Sequence, residues 1–125
     1  MKAVFEYAVV RLVPQVEREE FINIGVILYC KKLRFSGFLW QLNDAKCEAL
    51  YRDLDIDMVR AHLDSFAKIC NGEQSGGKLA ELDQAERFRW LTAKRSTIIQ
   101  CSAVHPGLTD DPQQMLVHLF NKLVI

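Results

Sequence analysis

Residues 3–13 read Ala-Val-Phe-Glu-Tyr-Ala-Val-Val-Arg-Leu-Val, a run rich in Val, Phe and Tyr and apolar on both alternating faces. A half-exposed strand shows one polar face, so this run reads as a central strand covered on both sides. Any fold for the chain must therefore seat a sheet whose two faces are both removed from water. Arg11 is the one residue out of character. An unpaired buried guanidinium costs several kcal/mol, so it must snorkel, pair or serve a site. The default is a structural ion pair with Glu17, Glu19 or Glu20.

Residues 14–19 begin with proline, which cannot donate to a ladder, and are polar, which makes them the loop of a hairpin. The returning strand, residues 20–30, puts Ile22, Ile24, Val26, Leu28 and Cys30 on one face and Phe21, Asn23, Gly25, Ile27 and Tyr29 on the other. Asn23 and Gly25 stand where bulk is expected, which predicts a bulge or a close backbone approach there. After a basic turn at 31–34, residues 33–41 supply a third strand and complete a meander.

Helix signals follow. Asn43 or Asp44 caps a helix running to about Leu54, and Asp55 or Asp57 caps the next, which ends near Asn71-Gly72. Val59, Leu63, Phe66 and Cys70 form its apolar stripe. Residues 83–93 are helical, 97–102 form a strand, and 103–110, containing Pro106-Gly107, read as a loop. The last helix is marked most clearly: Asp111 as N-cap, Pro112 at the first helical position, Gln114 completing a capping box, and Met115, Leu116, Leu119, Phe120 and Leu123 as its stripe. The pattern predicts one α+β domain over residues 1–125, a mostly antiparallel sheet of a three-stranded meander plus a later strand, packed with about four helices.

A chain of 125 residues is long enough to bury roughly 65% or more of its unfolded surface and build a core unaided. Its 16 basic and 16 acidic side chains cancel, which argues against an indiscriminate polyanion binder but not against a local basic patch. Glu6 interrupts the start too early for a secretory signal. The longest uncharged apolar stretch, residues 21–30, is about half of the ~20 residues a membrane span needs. The expectation is a soluble, cytoplasmic protein. Cys30, Cys47, Cys70 and Cys101 are dispersed without a C-x-x-C pair, so they read as reduced thiols that behave as small hydrophobes. A catalytic role is open only to Cys101, near His105 in sequence. Gly76-Gly77-Lys78 lacks the following Ser or Thr of a phosphate-binding P-loop.

The polar residues most suggestive of function lie late in the chain. Residues 87–95, Arg-Phe-Arg-Trp-Leu-Thr-Ala-Lys-Arg, hold four basic residues and no acid. Arginines interleaved with aromatic residues can bind phosphate and stack on bases. The alternative is that Phe88, Trp90 and Leu91 face the core while the arginines pair with Glu81, Asp83 and Glu86. Arg95-Ser96-Thr97 suits anion binding or an ordinary turn. His105, with Asp110, Asp111 and a hairpin glutamate, has the donors for a metal, but Asp111 already has a cap to make. No metal and no cofactor is assigned.

Two stretches, Tyr7-Ala8-Val9-Val10-Arg11-Leu12-Val13-Pro14 continuing through Glu17-Arg18 and Glu20 to Val26, and Arg87 to Gln100 followed by His105-Pro106-Gly107 and Asp110-Asp111-Pro112, together resemble the bacterial family known as domain of unknown function 3037. Members of that family are often encoded beside HipA-type serine/threonine kinases, so the resemblance implies a small cytosolic partner for such a kinase; the family name itself confers no activity. Its polar positions fall on Arg11, Glu17, Arg18, Glu20, Asn23, Arg87, Arg89, Arg95, Ser96, His105 and Asp110. The leading expectation is a non-enzymatic interaction or regulatory module. The alternatives are a phosphate, nucleotide or nucleic-acid binding protein and, behind it, a metal-dependent hydrolase. All site readings require Arg11, Glu20, Arg89, Arg95 and His105 to converge on one pocket.

Overall fold

A computed structural model describes residues 1–125. β1 (Ala3–Leu12) is the spine of a five-stranded antiparallel sheet. On one side it pairs with β2 (Ile22–Cys30), which pairs in turn with β3 (Phe35–Trp40). Its other side is shared by two short strands, β4 (Ile99–Cys101) against Val10 to Leu12 and β5 (His105–Thr109) against Ala3 to Tyr7.

Both sheet faces are covered, as the doubly apolar first strand requires. α1 (Asp44–Leu50), α2 (Ile56–Cys70) and α3 (Gln84–Thr92) contribute to a larger core with Ala8, Val10, Leu12, Ile24, Ile27 and Tyr29. α4 (Pro112–Leu123) closes a smaller core over Ala3, Phe5, Val26, Leu28 and Cys30. The expected stripe of α2 is buried throughout, and Leu116 and Leu119 of α4 are buried. Each helix start is fixed by the residue type expected there: Asn43, Asp55, Asp83 and Asp111 each accept the backbone N–H three residues on, at 2.8–3.2 Å. The first helix ends four residues before the predicted Leu54.

Two expectations are corrected. The faces of β2 are not those of simple alternation. The ladder to β1 pairs Val10 with Gly25 and then Arg11 with Asn23, leaving Ile24 as a bulged extra residue. The bulge reverses the facing, so Ile22 and Ile24 join Ile27 and Tyr29 on one face, while Val26, Leu28 and Cys30 lie on the other. Gly25 sits beside this bulge because a Cβ there would meet the Leu39 carbonyl oxygen at 2.8 Å.

The second correction is β5, where residues 103–110 were expected to be a loop. Proline is tolerated on an edge strand, and Gly107 lies opposite Phe5, whose ring would stand 2.5 Å from any Cβ at 107. The Pro-Gly pair thus marks a close-packed strand edge and not a turn.

Candidate functional site

The polar residues expected to converge are dispersed by the fold, and a smaller group meets. Arg11, Arg95 and Ser96 line one concavity of about 540 Å³ along the outer edge of β4, together with Lys94, Gln100, Cys101, Ser102 and Ala103. No carboxylate lines it. β1 and β4 create this meeting: Arg11 faces Gln100 across their ladder, and the segment after α3 brings Lys94 to Ser96 alongside.

Arg11 does not make the expected ion pair with a hairpin glutamate. The chain's salt bridges are Arg18–Glu20, Arg60–Asp44 and Arg89–Glu6. The Arg11 guanidinium instead lies 4.2 Å over the Phe21 ring, and its Nε is buried without a partner. Glu17, Glu19 and Glu20 are exposed, and Glu20 is taken by Arg18 at 2.6 Å. Hydrogen bonding to the Arg18 guanidinium, followed by its charge, holds the Glu20 carboxyl below its usual range. Asn23, cross-strand from Arg11, donates Nδ2 to the Leu123 carbonyl at 3.1 Å and so ties α4 to the sheet; its Oδ1 is buried and unpartnered.

The basic segment splits as α3 turns. Arg87 donates to the Leu82 carbonyl at 2.5 Å and packs on Gly72. Arg89 makes a bidentate pair with Glu6 on β1, both contacts 2.8 Å. Neither arginine pairs with Glu81, Asp83 or Glu86; Asp83 is occupied as the α3 cap. Phe88 and Leu91 are buried as expected, but Trp90 is 43% exposed. Arg95 stacks on Trp90 at 4.2 Å and donates to the Trp90 and Leu91 carbonyls, which cap the last turn of α3. Two of its five N–H groups are used so.

His105 and Asp110 stand apart from this concavity. His105 is exposed and lies 5.4 Å from the Tyr7 ring, measured between centroids. Asp110 borders a separate recess of about 320 Å³ with Lys2, Gln114 and His118. The hairpin glutamates lie past the other end of β1, whose ten residues extend about 30 Å. The proposed set of His105, Asp110 and a hairpin glutamate therefore cannot hold one ion. No group of three or more His, Cys, Asp or Glu residues converges anywhere. Cys101 does not meet His105: its Sγ points at the Leu91 carbonyl at 3.5 Å in the α2–α3 core, and Tyr7 under His105 packs with the α4 core. Burial pushes the Cys101 thiol up to about 12, against the opposing pull of the Arg95 and Arg11 charges.

Lys94 lies within the basic run, but Gln100 and Ser102 carry no sequence signal of a site. Only the β1–β4 pairing places them beside Arg11.

A doubly covered antiparallel sheet with a cationic concavity at one edge defines a small α+β protein of the layered type. No helix is long and apolar enough to cross a membrane. Residues 7–124 match the family described as Protein of unknown function (DUF3037), and the chain belongs to that family. No curated protein and no solved structure matches it.

Proposed function

We propose that the chain is a non-catalytic binding module that takes a phosphate-like anion between Arg11, Lys94, Arg95 and Ser96. The observation that carries this reading is Arg11, a guanidinium in the wall of an acid-free concavity with no carboxylate partner. A fold that neutralises Arg89 with Glu6 and Arg18 with Glu20 leaves this charge open beside two more cations. An anion there would gain charge-assisted hydrogen bonds from the guanidinium groups and the Ser96 hydroxyl. The same group offers no base and no activated nucleophile, since its thiol is held protonated, which favours binding over catalysis.

Titration calorimetry with inorganic pyrophosphate tests the reading. Binding should weaken as salt rises, and Arg11→Gln should cost about tenfold, the value of one hydrogen bond to a charged group. Arg18→Gln, on the hairpin, should cost nothing. Equal losses in both variants, or none in either, would overturn the proposal. A partnership with a HipA-type kinase, implied by the family resemblance, would use the same cations for an acidic or phosphorylated docking segment. Co-expression and gel filtration test it, with separate elution of the two proteins counting against it.

A further inference from the structure

A second concavity, about 290 Å³, adjoins the cationic one at Arg95 and Cys101, which line both. It lies between α2, α3 and the start of β4. Phe66, Ile69 and Ile99 form its buried floor, the half-exposed Trp90 one wall, and the exposed His62 and Ser65 its rim. The apolar cleft is at the lower bound of small-molecule sites, roughly 300–1,000 Å³, and the cationic one extends it. They differ in chemistry. One is cationic and hydroxylated; the other has an apolar floor and an aromatic wall, with His62, Ser65, Arg95 and Thr97 as its hydrogen-bonding side chains.

On the reading that the cationic side takes an anion, we infer that the ligand is a nucleotide, its base in the Trp90 cleft and its phosphates on Arg11 and Lys94. A planar base needs an apolar slot, an aromatic or guanidinium surface, and donors or acceptors for its edge. The cleft supplies the slot, Trp90 with Arg95 supplies the surface, and His62 and Ser65 supply the edge contacts. A phosphorylated peptide would use the cations and the apolar floor, but its aliphatic side chain would not stack on the Trp90 and Arg95 surface as a planar base does. The stacking surface thus favours the base.

Calorimetry with ADP, adenosine and pyrophosphate separates the possibilities. ADP should bind about tenfold tighter than pyrophosphate, the lower range of a stacked base. Ser65→Phe, an exposed position that fills the cleft without touching the core, should abolish that gain and leave pyrophosphate affinity unchanged. In a Trp40→Phe background, ADP and not pyrophosphate should quench the remaining Trp90 fluorescence. Equal affinity for ADP and pyrophosphate without quenching would overturn the nucleotide assignment while the anion site stands. Failure of both to bind would overturn both. A phosphoserine peptide flanked by leucine that binds as tightly as ADP would also overturn the assignment.

Discussion

The Ser102 hydroxyl accepts the Val9 backbone N–H at 2.8 Å, while the Val9 carbonyl accepts the Ser102 N–H, also at 2.8 Å. This side-chain contact fills the gap between β4 and β5 where the β1 ladder would otherwise lose a bond. The Ser102 hydroxyl donates its own hydrogen bond to the Ala103 carbonyl at 2.9 Å. Ser102→Ala should leave the buried Val9 N–H unpaired and cost about 1–3 kcal/mol. Urea denaturation measures the loss, and hydrogen exchange should show Val9 deprotected ahead of Ala8 and Val10.

Gly107 has no room for a side chain because the Phe5 ring occupies it. Gly107→Ala should destabilise by about 1–3 kcal/mol through overpacking. Phe5→Leu should cost stability alone, yet recover part of the loss when combined with Gly107→Ala, giving a favourable coupling energy in a double-mutant cycle. Strict additivity would show that the two positions do not contend for the same space.

Arg11 spends stability on its position, with a buried Nε that lacks a partner. Arg11→Met keeps the packing on Phe21 and removes that burden, so the unfolding midpoint should rise or hold while a given concentration of pyrophosphate stabilises the protein less than it does the parent chain. In the parent chain, saturating pyrophosphate should raise the midpoint as any ligand of the native state does. A strongly destabilised Arg11→Met protein would mark the guanidinium as structural.

The thiols set an alkaline limit. Burial pushes Cys70 up to about 11 and Cys101 to about 12, from 9.0 when free. A thiol whose folded value lies above its unfolded one binds its proton more tightly in the native state. Its stabilisation is complete below about pH 9 and is lost as pH climbs toward the folded values, with a slope up to about 1.4 kcal/mol per pH unit for each thiol. Denaturation midpoints measured under reductant should fall from pH 8 to pH 10.5 on this account. Cys101→Ala should flatten the fall. Iodoacetamide should label Cys101 slowly until the chain unfolds.

Local chemistry made much of this fold legible. Asn43, Asp55, Asp83 and Asp111 announce helix starts because a short polar side chain satisfies a nearby N–H, and the α2 stripe needs only its own spacing. β5 was hidden because Pro106-Gly107 carries a turn signal, whereas its real partner is Phe5, a hundred residues away in sequence. The lining of the cationic concavity was partly legible. Arg11 was anomalous from its strand alone and Arg95-Ser96 from its basic context. Their meeting with Lys94, Gln100 and Ser102 depends on β1–β4 pairing, which no neighbouring residue encodes. Arg89 looked like an anion ligand for the same reason, since Glu6 lies at the other end of the chain.

The bulge at Ile24 acts as a phase marker. A sheet apolar on both sides has no polar face to say which way is out, so hydrophobicity alone leaves the β2 register nearly degenerate. One extra residue assigns Ile22 and Ile24 to the same layer as Ile27 and sends Val26 and Leu28 to α4. A residue gained or lost in the 13–21 loop leaves those assignments intact. The same change between Asn23 and Gly25 exchanges the two layers, which makes these three positions the least tolerant of length change in the strand.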